Sequence, residues 1–182
     1  DTYGSKDRVV GYLSAAFVDV DKNMDIARST ACIVKSKEDD MLDKEQRNEL
    51  LRIARSTIEH YLETGKVLDI ETSDEFLKRE MGAFVTLHLN GRLRGCIGNM
   101  VGKVPLYLTI RDMAIAASTQ DPRFPPVTAD EMKNVDIEIS VLTPMEKIDD
   151  PKKIELGTHG VMVRSGWKSG VYLPQVADET GW

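Results

Sequence analysis

Arg94-Gly95-Cys96-Ile97-Gly98 is the stretch of this 182-residue chain whose side chains hold the most chemistry. Residues two apart on a strand point to the same face, so Arg94 and Cys96 would stand side by side. A guanidinium near a thiol favours the thiolate, which is the nucleophilic form. Gly95 and Gly98 leave bare backbone on either side of the thiol, where a ligand or another strand can come close. The same residues have a plainer reading. Cysteine is often a small buried hydrophobe, and glycine within a strand often marks a bulge.

Three further residues could act with this run. His159, in Gly157-Thr158-His159-Gly160, could serve as a base toward Cys96, as imidazole does in thiol catalysis; it could equally be an exposed or locally capping side chain. Arg123 lies in Asp121-Pro122-Arg123-Phe124-Pro125-Pro126, where the prolines stiffen the backbone. A stiffly held guanidinium suits a small anionic ligand, carboxylate or phosphate, or else an ion pair that pins the turn. Glu138 has the same two readings. No metal-ligand spacing, phosphate loop or dinucleotide fingerprint occurs, so no metal is expected and no cofactor is indicated.

These residues need a frame. Ala83–Leu89 and Arg92–Ile97 flank Asn90-Gly91, the preferred two-residue hairpin turn. Strict pairing through that turn sets Leu89 opposite Arg92, Leu87 opposite Arg94 and Val85 opposite Cys96, and turns His88 away from Cys96. A helix is predicted from Asp43 to Thr64, with Asp43 and Gln46 as a capping box and Gly65 as its stop. Its apolar stripe is Leu50, Leu51, Ala54, Ile58, Tyr61 and Leu62. Short helices are expected at Asp74–Lys78 and Ala129–Lys133, and a longer one opening at Pro105. Asp136–Thr143 alternates as a half-buried strand. Residues 160–163 and 170–173 read as a second hairpin, with a last helix starting near Pro174. The pattern predicts an α+β fold with a mainly antiparallel sheet and flanking helices.

Residues 1–40 read as an appendage and linker, and 41–182 as the main domain. The apolar run Arg8–Val18 leaves open a strand that pairs with the main sheet. Hydrophobic residues make up 41% and charged residues 30% of the chain, a composition able to bury one core. Its 24 basic and 30 acidic residues give a net charge of −6, which disfavours broad binding to nucleic acid or anionic membranes. Cys32 and Cys96 are far apart and read as free thiols of a reducing compartment. No apolar run reaches the roughly 20 residues of a membrane span, and the start is unlike a signal peptide. A cytoplasmic location is expected.

Taken in order, these motifs resemble the AMMECR domain family. The hallmark is Gly82-Ala83-Phe84-Val85-Thr86-Leu87 followed by Leu93 to Gly98. The later matches are Asp121–Pro126, Ile139–Pro144, Gly157–Val161 and Tyr172–Ala177. The resemblance implies two unequal lobes around a cleft, with the signature residues near it; it implies no reaction, because the family has no established activity. It also implies a Memo-like protein and a radical SAM enzyme as partners, sometimes within one polypeptide. Residues 8–18 are similar to the end of a Memo-like domain, which with the absent initial methionine suggests the C-terminal part of a fusion. Two features depart from the pattern. Asn99 replaces the usual threonine or serine, and a further helix would follow Trp182. The residues leave three functions open: an enzyme or enzyme component with Cys96 in its site and Arg94 and Arg123 holding an anionic group, a non-catalytic interaction module, or an RNA- or nucleotide-binding domain.

Overall fold

The structure is a computed structural model describing residues 8–19, 42–143, 146–147, 150, 152, 154–155, 159–165 and 168–172. It is α+β, with antiparallel hairpins and flanking helices as the patterns predict. Its contacts divide it into two units, Asp1–Gly11 with Leu42–Val141, and Tyr12–Met41 with Leu142–Trp182. Cys32 and the helix expected from Pro174 lie outside the described residues.

In the first unit, helix α1 (Lys44–Thr64) begins where the capping box predicts. The Asp43 carboxylate accepts the Gln46 N–H at 2.8 Å, and the Gln46 side chain accepts the Asp43 N–H at 3.0 Å. Gly65 ends the helix with φ +69°, a left-handed conformation open to glycine. The buried positions are Leu50, Ile53, Ala54, Thr57 and Ile58. The stripe therefore follows the helical period more strictly than predicted. Leu51, Tyr61 and Leu62 sit at its margins, partly covered. The helix expected at Asp74–Lys78 is instead a turn. Asp74 Oδ1 holds it by accepting the N–H groups of Phe76 and Leu77 at 2.7 and 3.1 Å.

Strands β2 (Gly82–Leu89) and β3 (Arg92–Asn99) form the predicted hairpin. Asn90 and Gly91 have φ +54° and +75°, the paired positive values of a type I′ turn. Helix α2 (Leu106–Thr119) follows, with Pro105 as its N-cap residue, one place earlier than the first-turn position expected. Helix α3 (Ala129–Met132) is short and carries its own capping box, Thr128 with Glu131. Strand β4 (Val135–Leu142) completes this part of the sheet, in the order β3-β2-β4. Helix α1 packs on α2, and α2 packs on β2 and β3. Between them lies a core that includes Leu50, Ile58, Ile110, Val85, Leu87 and Ile139, each with no exposed area. Burying such a side chain contributes about 2 kcal/mol, so this packing fixes the plane of the hairpin.

The second unit is built on strands. Strand β1 (Arg8–Asp19) enters it at Tyr12. It pairs parallel with β6 (His159–Ser165), from Ser14↔His159 to Asp19↔Arg164, and with β5 (Glu146–Lys147) at Ala16 and Phe17. Strand β7 (Lys168–Tyr172) returns antiparallel to β6. The apolar run Arg8–Val18 is thus a strand, as its composition allows.

Candidate functional site

The hairpin departs from strict pairing at one place, and the departure moves Cys96. Leu89 faces Arg92 and His88 faces Leu93, but Leu87 faces Gly95 and Thr86 faces Cys96. Arg94 is thus the extra residue of a bulge, where two residues on β3 oppose one on β2. Cys96 therefore lies opposite Thr86, not opposite Val85 as the unbroken register predicts. The strand faces correct a second expectation. Ala83, Val85 and Leu87 are buried, while Phe84, Thr86 and His88 alternate with them and stay partly exposed. Since β2 has no bulge of its own, His88 shares the face of Thr86 and Cys96 instead of turning away.

Cys96 is a free, half-buried thiol. The Thr86 hydroxyl donates to its sulfur at 3.2 Å. Its peptide group is gripped from both sides by the proline-rich turn. The Cys96 N–H donates to Asp121 Oδ2 at 2.9 Å, and Arg123 Nη2 donates to the Cys96 carbonyl at 3.3 Å. Asp121 and Arg123 also hold each other through two side-chain bonds, Nε to Oδ1 at 2.9 Å and Nη2 to Oδ2 at 2.7 Å. The Asp121 side chain is 2% exposed and the Arg123 side chain 53%. The Arg123 guanidinium, helped by the Cys96 and Arg123 backbone N–H groups, holds the Asp121 carboxyl far below the usual carboxylate range, against the opposing effect of burial. Asp121 in turn pushes Arg123 up.

The hallmark's own arginine, Arg94, holds the far end of the same turn. Arg94 donates Nη1 to the Pro125 carbonyl at 2.8 Å and Nη2 to the Pro126 carbonyl at 3.2 Å. It also makes a forked pair with Glu131, Nε to Oε1 at 3.0 Å and Nη2 to Oε2 at 3.1 Å. The Arg94 bonds, with those from Thr128, hold the Glu131 carboxyl below its ordinary value. Two carbonyls and a carboxylate use the whole guanidinium fork, an arrangement lysine cannot reproduce. The anionic partner expected of Arg94 is thus met within the chain. The bulge takes Arg94 out of the strand pairing, and its side chain reaches the turn.

The close approaches expected at the two glycines are also made by the chain itself. A Cβ on Gly95 would overlap the Ala117 carbonyl at the end of α2, and one on Gly98 would overlap the Phe84 ring. Gly95 lets α2 lie down on β3, and the ring covers Gly98 across the hairpin. Glu138 alternates with fully buried Ile137 and Ile139 on β4 and is half-exposed. His159, in the second unit, is 6% exposed. The Glu155 N–H donates to its Nδ1 at 2.9 Å, and the His159 N–H donates to the Glu155 carbonyl at 2.9 Å. This is the local capping use of that histidine. Among the described residues, no group of three or more His, Cys, Asp or Glu could hold a metal, and no helix is long and apolar enough to cross a membrane.

Sequence reasoning did not single out Thr86, Asp121 or Glu131 as parts of this arrangement. Glu131 was visible as a capping-box residue after Thr128, but its pairing across the turn with Arg94 is a long-range fact.

The AMMECR1 family model matches residues 51–182. A protein of Methanopyrus kandleri is 46% identical over 142 residues, covering 73% of this chain and 69% of that protein. A Thermotoga maritima protein is 46% identical over 123 residues, 65% of this chain and 71% of its own length. The crystal structure of an uncharacterized protein from Pyrococcus horikoshii superposes with a TM-score of 0.68 at 43% identity, covering 74% of this chain and 71% of that one. Hairpin, proline-rich turn and later motifs fall within the matched span, and the chain belongs to the AMMECR1 family.

Proposed function

We propose that this chain is the thiol-bearing component of an enzyme system, with Cys96 as its reacting group. One observation carries this reading: the half-buried sulfur accepts the Thr86 hydroxyl while its own peptide N–H and C=O are both held. A hydroxyl aimed at sulfur stabilises the thiolate, and a peptide gripped at both ends fixes where that sulfur sits. In this proposal His88, on the same face, takes the proton when the thiol reacts. The exposed half of Arg123 is where a small anionic group would rest. The Memo-like protein and the radical SAM enzyme that accompany AMMECR domains are the proposed partners, in one polypeptide or as separate chains in the cytoplasm.

The test is alkylation of the native protein by iodoacetamide across pH. In a Cys32→Ser background, the expected result is labelling of Cys96 faster than an unstructured cysteine peptide and slowed near neutral pH by His88→Gln. A thiol that labels only after denaturation would remove Cys96 from any reaction.

A second reading is a non-catalytic module that docks on the same partners. The observation favouring it is that both candidate arginines, Arg94 and Arg123, already have partners within the chain. Under it, a Cys96→Ala variant co-purifies with the Memo-like and radical SAM proteins as the parent does, and leaves their activity unchanged. RNA or nucleotide binding is weaker, given the net charge of −6; failure to bind RNA even at low salt would end it.

A further inference from the structure

Strand β3 ends the strand order among the described strands, so its outer edge is the place where another strand could add. In an antiparallel pair, alternate residues turn their N–H and C=O away from the partner strand. Cys96 is such a residue, because both its peptide groups bond away from the hairpin. The partners are side chains, not backbone: Asp121 on the N–H and Arg123 on the carbonyl. One charged pair thus occupies the donor and the acceptor that a neighbouring strand would use. Arg94 fastens the rest of the turn along the same strand through the Pro125 and Pro126 carbonyls. Prolines themselves offer no N–H to extend a sheet.

We propose that the turn from Asp121 to Pro126 guards the β3 edge, and that without it a second copy of this chain adds β3 to β3. The second copy is the fitting occupant, since an antiparallel strand edge is complementary to itself about a two-fold axis. The apolar side chain of Leu93, 41% exposed on β3, would be covered in the same step. The guard suits a charged pair in particular. An Asp–Arg fork offers an acceptor and a donor as a peptide group does, and its exposed guanidinium carries charge that a sheet interior would reject.

Sedimentation of the parent and an Asp121→Ala/Arg123→Ala variant over a range of concentrations tests this. The variant is expected to move from the parent's mass toward a doubled mass as concentration rises, with slower amide exchange in β3 in the associated form. Adding Leu93→Lys to the variant should restore the parent's behaviour, because an edge lysine blocks strand addition. Arg123→Ala alone keeps the buried carboxylate on the Cys96 N–H; it serves if the double variant does not fold, and should associate more weakly in the same way. A folded variant that sediments as the parent at every concentration overturns the proposal. So does association that leaves β3 exchange unchanged or ignores Leu93→Lys.

Discussion

The two sides of β3 are secured by different physics. Toward α2 the strand is closed by shape, with Gly95 under the Ala117 carbonyl and Leu87 directly across the hairpin. At its edge and outer face it is closed by charge and hydrogen bonds, from Asp121, Arg123 and Thr86 to one cysteine. A shape contact against backbone cannot be relieved by a rotamer change. A polar contact can be lost with its partner groups rehydrated, and its strength depends on pH. Neighbouring residues of one short motif, Gly95 and Cys96, therefore answer to different conditions. The packed side should be brittle, and the polar side graded and titratable.

The sharpest break is expected on the packed side. Gly95→Ala puts a methyl group into the Ala117 carbonyl and should cost at least about 3 kcal/mol, or prevent folding. Urea unfolding measures it, and a loss under about 1 kcal/mol would mean that α2 shifts freely and the shape argument fails. Next in size is Arg123→Met, which leaves the buried Asp121 carboxylate without its main partner. The expected loss is about 3 kcal/mol at neutral pH. Its pH dependence separates this from a packing defect. Asp121 is held far below the usual carboxylate range when folded, while an unfolded aspartate titrates near pH 4. The stabilisation is full above about pH 4 and is lost as the pH falls below it. The gap between parent and variant should therefore shrink under acid. A gap that stays constant below about pH 4 would assign the effect to packing.

Arg94→Lys should rank third, at about 2 kcal/mol. An ammonium cannot serve the Pro125 and Pro126 carbonyls and both Glu131 oxygens from one position. Thermal unfolding reads the change, and a melting temperature equal to the parent's would show that the fork contributes little.

What could be read from the sequence follows the range of the interactions involved. The α1 caps and the Asn90-Gly91 turn are local, and both are present; β4 is present too, but its predicted alternation ends at Ser140, beyond which consecutive residues are buried. The stripe on α1 was placed less well, because which flanking leucines are covered depends on how α2 lies against it. The bulge at Arg94 was missed for a clearer reason. The turn residues dictate pairing only next to the turn, and the break is enforced by Gly95 under α2 and by the pull of Glu131 and the proline carbonyls on Arg94. Those partners lie from about 20 to nearly 40 residues further along. A one-residue slip exchanges faces, so that single miss reversed the placement of His88 and put Thr86 beside Cys96. For Arg123 the motif leaves an anion site and a pin equally open, and proximity in sequence to Asp121 cannot decide between them. The decisive fact is Asp121's burial against the β3 edge, a tertiary contact.

The smallest expected effect on stability probes the outer face itself. Thr86→Val keeps the shape of the side chain and its preference for a strand but removes the hydroxyl that donates to Cys96. The site is part-buried and sulfur is a weak acceptor, so the loss should stay below about 1 kcal/mol. The peptide grips from Asp121 and Arg123 are untouched, and the position of the sulfur is preserved. Any change in Cys96 labelling then reports the hydroxyl's interaction with the thiolate and not a displaced strand. Slower labelling at near-parent stability is the expected outcome. An unchanged rate, in a protein whose labelling disappears in Cys96→Ser, would leave the Asp121–Arg123 grip and His88 as the groups that set the thiol's behaviour.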